Sequence, residues 1–264
     1  MSKHEEFLKE RKYLKNVSQR TIEWHEQSLA WLGVEEPTEV DLKRVVLRMR
    51  EAGLKASSCN SRAGSINAYL AWLGSELRIQ KMKVEEFLPE TFSADDISEF
   101  ARWKPETKSG HRARLLVLTL ADTGLRLSEA LNLRWQDVDL DNCLLTVVRK
   151  GRKERKVPFS IELRRVLYKR NASARFVFGT ATGTKISPRN SLRDVSKACQ
   201  QLNIRRPRRL LHAFRHSWAS NAVRQGMNPF VLQRLLGHST MAMTNKYVSL
   251  GTNDLQKGHI SLLG

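Results

Sequence analysis

Cysteine is scarce in this sequence, and the three cysteines that occur are scattered. Cys59, Cys143 and Cys199 form no C-x-x-C pair, so their spacing supports neither a disulfide framework nor a typical zinc site, and it favours a reducing compartment. The sequence also lacks the clustered carboxylates that two-metal nucleases need and the glycine-rich loop of nucleotide hydrolases. We therefore expect a protein that works without a metal ion or any other cofactor.

Long apolar runs are absent as well. No run approaches the ~20 residues that a membrane span requires, and the polar N-terminus does not resemble a secretory signal. The sequence contains no polybasic amphipathic anchor and no lipidation motif. These absences favour a cytoplasmic protein without a membrane partner.

Acidic residues are few relative to basic ones, and the imbalance lies in one part of the chain. The sequence has 46 Lys and Arg against 27 Asp and Glu, a formal net charge of +19. Residues 1–90 carry 15 basic and 14 acidic side chains, whereas residues 91–264 carry 31 basic and 13 acidic. An excess of this size is more than solubility needs and indicates a polyanionic partner such as nucleic acid.

Apolar periodicity predicts four short helices at the beginning of the chain. Ser18, Thr38 and Ser57 are expected to cap the second, third and fourth of these helices, and Gly33 to end the second. A segment that changes from basic to acidic and contains a proline follows them, which is typical of a linker. The predicted organisation is a helical domain over residues 1–80, a linker over residues 81–92 and a second domain over residues 93–264.

A β-hairpin interrupts the otherwise helical pattern of the second domain. Residues 144–148 are apolar and β-branched, residues 153–158 form a matching partner, and Gly151 marks the turn between them. Lys150 and Arg152 lie at this turn in a basic cluster that could simply hold phosphates. The predicted fold class is therefore mainly α with a small β-hairpin.

Polar side chains of catalytic type are concentrated in residues 211–247. His212 and Arg215 project from one helix about 60° apart, and Arg215 lies at the edge of an apolar stripe, where a guanidinium is costly unless an anion meets it. Gly237 is expected to end the next helix, which places His238 at a helix terminus before a third helix. Each of these residues alone is more often structural than catalytic.

The last predicted helix of this region is expected to begin after a cap at Ser239 and to carry Tyr247 near its end. Far upstream, Arg126 lies in a turn that follows a buried helix ending at Gly124. Such a turn would hold an arginine rigidly, as an anion site requires. Glu129, one turn later, is either an ordinary acidic residue of a helix first turn or a partner that orients Arg126.

Three sequence motifs in this order resemble those of the tyrosine recombinases, the phage-integrase family. The motifs are T-G-L-R-L-S-E-A-L at residues 123–131, the basic hairpin V-R-K-G-R-K-E-R-K-V-P at residues 148–158, and H-x-x-R-H with L-L-G-H-S and a later tyrosine within residues 212–247. The resemblance covers residues 93–250 well and the first 90 residues more loosely. Within this family, the chain is similar to the simple Xer-like or small mobile-element type, because no additional domain is expected before residue 1.

The resemblance implies a four-helix, SAM-like core-binding domain followed by a catalytic domain, and a cleavage reaction through a 3′-phosphotyrosyl intermediate. Tyr247 is the implied nucleophile, Lys150 the acid and His212 the base, and Glu129 has a supporting role. His216 is interpreted as a packing residue. The implied catalytic residues are Arg126, Lys150, His212, Arg215, His238 and Tyr247.

The resemblance also implies that the protein binds double-stranded DNA and exchanges strands through a Holliday junction, as a homotetramer on two DNA sites. Helix starts in the first domain are expected to face DNA, because polar side chains at helix N-termini suit phosphate and base contacts. Capping and solvation explain each of these residues about equally well. The implied DNA-binding residues are Arg20, Thr21, Lys55, Asn60, Arg62 and Arg152.

Three other functions are compatible with parts of this pattern. A type IB topoisomerase uses similar chemistry, but the four-helix N-terminal domain disfavours it. A non-catalytic DNA-binding regulator on the same fold is disfavoured by the complete residue set. A metal-dependent nuclease is disfavoured by the lack of clustered carboxylates.

Overall fold

The computed structural model of the chain has one large hydrophobic core in each of two units. The structure describes residues 1–85, 89–148, 154–169, 174–180 and 182–248. The chain divides into two compact units, Met1–Phe87 and Leu88–Gly264. No helix among the described residues is long and apolar enough to cross a bilayer. The mainly helical fold class predicted from the sequence is confirmed.

The described residues of the first unit form four helices, and several of their ends follow local capping rules. Thr38 caps the third helix with Asp41 in a reciprocal capping box, as predicted, and Gly33 ends the second in the left-handed conformation at φ +74°. The predicted cap at Ser57 is wrong, because Lys55 has the extended cap conformation and the fourth helix begins directly after it. The helices are α1 (Lys3–Tyr13), α2 (Gln19–Leu32), α3 (Glu39–Glu51) and α4 (Ala56–Trp72).

The first core is closed by aromatic side chains that pack edge to face. Phe7 of α1 is fully buried against Tyr69 and Trp72 of α4. The Tyr69 hydroxyl donates a hydrogen bond to the carbonyl oxygen of Glu35, at 2.8 Å. These contacts join the first and last helices of the unit into one core.

The second unit is helical around a three-stranded antiparallel sheet. The strands are β1 (Val138–Asp139), β2 (Leu144–Val148) and β3 (Glu154–Pro158), in the order β1-β2-β3. The predicted pairing of β2 with β3 is confirmed, with Leu145 opposite Val157. The helices are α5 (Ala94–Arg102), α6 (Lys108–Thr123), α7 (Leu127–Asn132), α8 (Ile161–Tyr168), α9 (Pro188–Gln201), α10 (Leu210–Arg224), α11 (Pro229–Leu236) and α12 (Ala242–Val248), with a short 3-10 helix at Trp135–Asp137.

Helix α6 runs through the middle of this unit and packs against α9 and α10. Its end is fixed tightly, because Gly124 has φ +62° and a Cβ there would lie 2.5 Å from the Trp218 ring of α10. A larger residue therefore cannot occupy this turn unless the Trp218 ring moves. The turn that carries Arg126 is thus held in place by the core.

Helices α10, α11 and α12 enclose a small apolar cluster of their own. Leu232, Leu236 and Tyr247 are buried in it against Ala219. The predicted cap at Ser239 is wrong: α12 begins at Ala242, and the Ser239 hydroxyl faces the sulfur of a methionine within α12. The carbonyl oxygens of residues 240 and 241 accept the first helical hydrogen bonds, so the helix starts later than its sequence signal.

Candidate active site

Arg126 is the N-cap residue of α7 and reaches across to the end of α11. One terminal nitrogen donates to the carbonyl oxygen of Leu236 and the other to that of Gly237, both at 3.1 Å. The first nitrogen also donates to Glu129 at 3.1 Å. The guanidinium is therefore fixed in a plane between two helix termini.

Arg215 of α10 donates a hydrogen bond to the same carbonyl oxygen as Arg126, that of Leu236. Its terminal nitrogens donate to the carbonyl oxygens of Gly124 and Leu236, both at 2.8 Å. Arg215 is only 6% exposed. Burial and the positive charge of Arg126 lower the pKa of Arg215 to about 10, so the group still carries its charge at neutral pH. Two guanidinium groups thus converge beside Leu236.

Glu129 binds a third arginine that the sequence interpretation did not include. Arg155 of β3 donates to both carboxylate oxygens of Glu129, at 2.9 Å each, and to the carbonyl oxygen of Leu235 at 3.0 Å. Burial alone would raise the pKa of Glu129, but hydrogen bonds from Arg155 and Arg126 and their positive charges lower it overall. Glu129 therefore remains a carboxylate that orients both arginines.

Strand alternation could have identified Arg155 from the sequence. Side chains two residues apart on a strand share a face, and Val157 of β3 is fully buried. Arg155 consequently faces inward, whereas its neighbour Lys156 is exposed. Three positive charges now surround one negative charge, so the cluster is well suited to an anion.

Tyr247 lies in the apolar cluster next to these arginines and is 4% exposed. Its hydroxyl is 2.7 Å from Nδ1 of His216. Burial raises the pKa of Tyr247, although the positive charges of Arg215 and Arg126 act to lower it. The interpretation of His216 as a packing residue is therefore incomplete, because this imidazole holds the hydroxyl of the predicted nucleophile.

Two further histidines lie near this group, His238 beside Tyr247 and His212 near Arg215 and Arg126. His238 Nδ1 is 2.9 Å from the Thr244 hydroxyl, and its ring stacks on Tyr247 with ring centroids 6.4 Å apart. His212 has an exposed surface one turn before His216 on α10. Partial burial and the positive charges of Arg209 and Arg215 nevertheless lower the pKa of His212, which favours its neutral form.

Two predicted residues of the hairpin, Lys150 and Arg152, lie outside the described residues. Within the described parts of the chain, no group of three or more His, Cys, Asp or Glu residues could hold a metal ion. The groups that the structure does place together are guanidinium and imidazole side chains, and the guanidinium groups carry the positive charge. The observed chemistry is therefore that of an anion site next to a buried phenol.

The predicted DNA-facing residues of the first unit differ in how their side chains are used. Arg20 and Lys55 are exposed at the starts of α2 and α4, and the Thr21 hydroxyl shares a 2.8 Å hydrogen bond with that of Ser18. The Asn60 amide bonds both the backbone N–H and the carbonyl of Met82, at 2.8 Å each.

The Arg62 side chain is also packed within the first unit. Its guanidinium lies 4.6 Å from the centre of the Trp24 ring, and one buried terminal nitrogen has no hydrogen-bond partner among the residues that the structure describes. Since Asn60 and Arg62 both have structural contacts, the exposed Arg20 and Lys55 are the better placed of these residues to meet a phosphate.

Comparison with known proteins gives the same result over most of the chain. A match to the phage integrase family covers residues 90–253. The chain is 30% identical to the tyrosine recombinase XerC of Xanthomonas axonopodis pv. citri, over 97% of this chain and 95% of that protein. It is also 30% identical to the tyrosine recombinase XerA of Thermococcus kodakarensis, over 81% and 78% of the two chains.

Solved structures share the fold. The Tn1549 transposon integrase in complex with circular intermediate DNA aligns with a TM-score of 0.78 and 22% identity over all of both chains. The XerH site-specific recombinase bound to a palindromic difH substrate aligns with a TM-score of 0.74 and 17% identity over 97% of this chain and 84% of that chain. The chain therefore belongs to the phage integrase family and is a tyrosine recombinase, an enzyme that cleaves and rejoins DNA.

Proposed function

We propose that this protein is a site-specific recombinase of the simple Xer-like type, in which Tyr247 attacks a DNA phosphodiester. The observation that carries the proposal is the convergence of Arg126 and Arg215 on the Leu236 carbonyl oxygen, next to a tyrosine whose pKa both charges affect. Phosphoryl transfer depends mainly on positioning and on stabilising charge around phosphorus. Fixed guanidinium groups can supply both.

The arginines would bind the non-bridging oxygens of the scissile phosphate. Hydrogen bonds from a guanidinium to a phosphate are charge-assisted and stronger than those to a neutral carbonyl. A phosphate entering beside Leu236 would therefore compete for donors of Arg126 and Arg215 that now face backbone carbonyls. His238 would donate a further hydrogen bond to the same group.

The cleavage step is balanced by transfer of two protons. The Tyr247 oxygen bonds to phosphorus, the bond from phosphorus to the 5′-oxygen breaks, and Lys150 gives that oxygen a proton. The phenol proton passes to a histidine of α10, and the family resemblance implies His212. The 3′-phosphotyrosyl bond retains the energy of the cleaved linkage, so a 5′-hydroxyl of a second duplex can religate it without ATP.

The assembly that fits this chemistry is a homotetramer on two DNA sites that exchanges strands through a Holliday junction. The similarity to the tyrosine recombinases XerC and XerA, and the shared fold with the Tn1549 integrase in complex with circular intermediate DNA, support a DNA substrate for this assembly. Chromosome or plasmid dimer resolution and mobile-element integration or excision are both reactions of this type. A cytoplasmic, nucleoid-associated location follows from a DNA substrate of that kind.

Covalent capture on genomic DNA tests the proposed function and identifies the target. The protein is incubated with sheared DNA from its host, protein-linked fragments are isolated under denaturing conditions, and the fragments are sequenced. We expect enrichment of one short sequence with wild type and none with Tyr247→Phe. A plasmid carrying two copies of that sequence should then be resolved into two circles.

The same experiment separates the alternatives. A type IB topoisomerase would relax a supercoiled plasmid that lacks the enriched sequence, and capture would occur at scattered positions. A metal-dependent nuclease would lose activity in EDTA. A non-catalytic regulator would enrich DNA only under native conditions, without a covalent link.

A further inference from the structure

The buried hydroxyl of Tyr247 has a hydrogen-bond partner in His216. The family resemblance assigns no catalytic role to His216. Nδ1 of His216 lies 2.7 Å from the phenol oxygen, a normal length for an O–H···N hydrogen bond. The two rings come from α10 and α12, 31 residues apart in the sequence. A contact between residues so far apart in the sequence depends on the packed arrangement of α10, α11 and α12.

The surroundings favour the neutral imidazole as the acceptor in this hydrogen bond. The charged or titratable groups that act on His216 are His212 and Arg215 of α10, Arg209 just before α10, and Lys246 of α12. Burial and these neighbours lower the pKa of His216 to about 4, so Nδ1 can be unprotonated at neutral pH. Burial raises the pKa of Tyr247, against the smaller opposing effect of Arg215 and Arg126, so the phenol keeps its proton and can donate it to Nδ1.

We propose that His216 is a catalytic residue that anchors the Tyr247 hydroxyl through Nδ1 and receives its proton during DNA cleavage. This inference rests on the proposed function and deepens it. As the phenol oxygen bonds to phosphorus, its proton moves to Nδ1, the 5′-oxygen leaves, and Lys150 supplies the proton that this oxygen needs. The imidazolium returns the proton when the phosphotyrosyl bond is religated.

The scissile phosphate itself would promote this transfer. Burial is the largest cause of the low pKa of His216, and the positive charges of Arg215, Arg209 and Lys246 add to it. The negative charge of a bound phosphate would offset the contribution of these positive charges. His216 therefore becomes a stronger base when substrate is present.

Single-turnover cleavage of a nicked suicide duplex, built on the captured target sequence, tests the inference. With protein in excess over DNA, binding does not limit the rate. His216→Leu is expected to lower the cleavage rate about 10²-fold, a typical effect of losing a general base, with less than about a twofold change in DNA affinity. His216→Asn is expected to recover part of this loss, because its amide oxygen can replace Nδ1 as an acceptor but not as a base.

Two further measurements distinguish proton transfer from a packing role. Incorporation of 3-fluorotyrosine at position 247 gives a more acidic phenol, which should increase the rate of His216→Leu more than that of wild type or His212→Leu. A 5′-bridging phosphorothiolate, whose sulfur leaves without a proton, should restore Lys150→Ala but not His216→Leu. His216→Leu and Lys150→Ala are each compared with wild type by thermal unfolding and by DNA binding.

The outcomes separate this inference from the proposed function. If wild type forms no covalent adduct, the proposed function fails. If wild type forms the adduct and His216→Leu cleaves at the same rate, only the role of His216 is refuted. If His216→Leu does not fold, His216→Asn and the fluorotyrosine comparison decide, and an equal fluorotyrosine effect in wild type and His216→Asn contradicts proton transfer.

Discussion

Removal of the Arg155 side chain should destabilise the second unit strongly, because it leaves the Glu129 carboxylate with Arg126 as its remaining partner in this cluster. The Arg155 and Glu129 side chains are 12% and 8% exposed, and their bidentate contacts measure 2.9 Å. Breaking a buried ion pair from one side typically costs ~3–5 kcal/mol. Since Arg126 retains its 3.1 Å contact to Glu129, we expect Arg155→Met to cost about 3 kcal/mol.

Urea unfolding of the full chain measures this cost, with the two units followed as separate transitions. Lys156→Met is the matched control, because it removes a positive charge from the next position of β3 while the side chain is exposed. The control should change the free energy of unfolding by less than about 0.5 kcal/mol. Equal midpoints for Arg155→Met and Lys156→Met would refute the idea that Arg155 holds this site together.

The pH dependence of the stability difference between wild type and Arg155→Met provides a second check. The folded-state pKa of Glu129 is lowered, so its stabilising contribution is present above the unfolded-state pKa, about 4.3. That contribution is lost as pH falls through the folded-state value. The stability difference between wild type and Arg155→Met should therefore be full at pH 7 and shrink below about pH 4. A difference that stays constant over this range would contradict the assignment to Glu129.

Three further substitutions test other parts of the site. Arg215→Lys should lower the cleavage rate ~10²–10³-fold, because one ammonium cannot replace a guanidinium that bonds two carbonyl groups and that we propose also binds the phosphate; single-turnover cleavage measures this. Gly237→Ala should cost ~1–3 kcal/mol in unfolding free energy, since φ is +63° and the added Cβ would lie 3.2 Å from the Arg155 guanidinium. Lys150→Ala should lose cleavage on ordinary DNA and regain it on a 5′-bridging phosphorothiolate, if Lys150 is the acid.

Local signals explain the parts of the fold that the sequence predicted. The Thr38 capping box and the left-handed Gly33 each involve only a few neighbouring residues. The β2–β3 pairing likewise follows from strand alternation and a short connection. Such features are encoded within one turn of helix or one hairpin, so they can be read without knowledge of tertiary packing.

The contacts that the sequence did not predict are made between distant parts of the chain. Arg155 and Glu129 are 26 residues apart, and His216 and Tyr247 are 31 apart. Whether a basic residue in a charged cluster binds phosphate or a buried carboxylate depends on which helix packs against its strand. The motifs predicted Arg126, Arg215 and Tyr247 as site residues, but they did not predict which side chains hydrogen-bond to Glu129 and Tyr247.

Asn60 illustrates the same limit in the first unit. Its position at the start of α4 indicated a DNA contact, yet its amide bonds both backbone groups of Met82. Met82 lies in the segment that the sequence marked as a linker, 22 residues away. A helix-start polar residue therefore has two possible uses, and only the path of the following chain decides between them.

Mass spectrometry of the covalent intermediate tests the central claim most directly. The wild-type protein is reacted with a nicked duplex of its target sequence in EDTA, digested with trypsin and nuclease, and searched for a nucleotide-linked peptide. We expect a 3′-phosphate ester on Tyr247 and a free 5′-hydroxyl on the released strand. A linkage on another residue, or cleavage that appears only when a divalent metal is added, would contradict it.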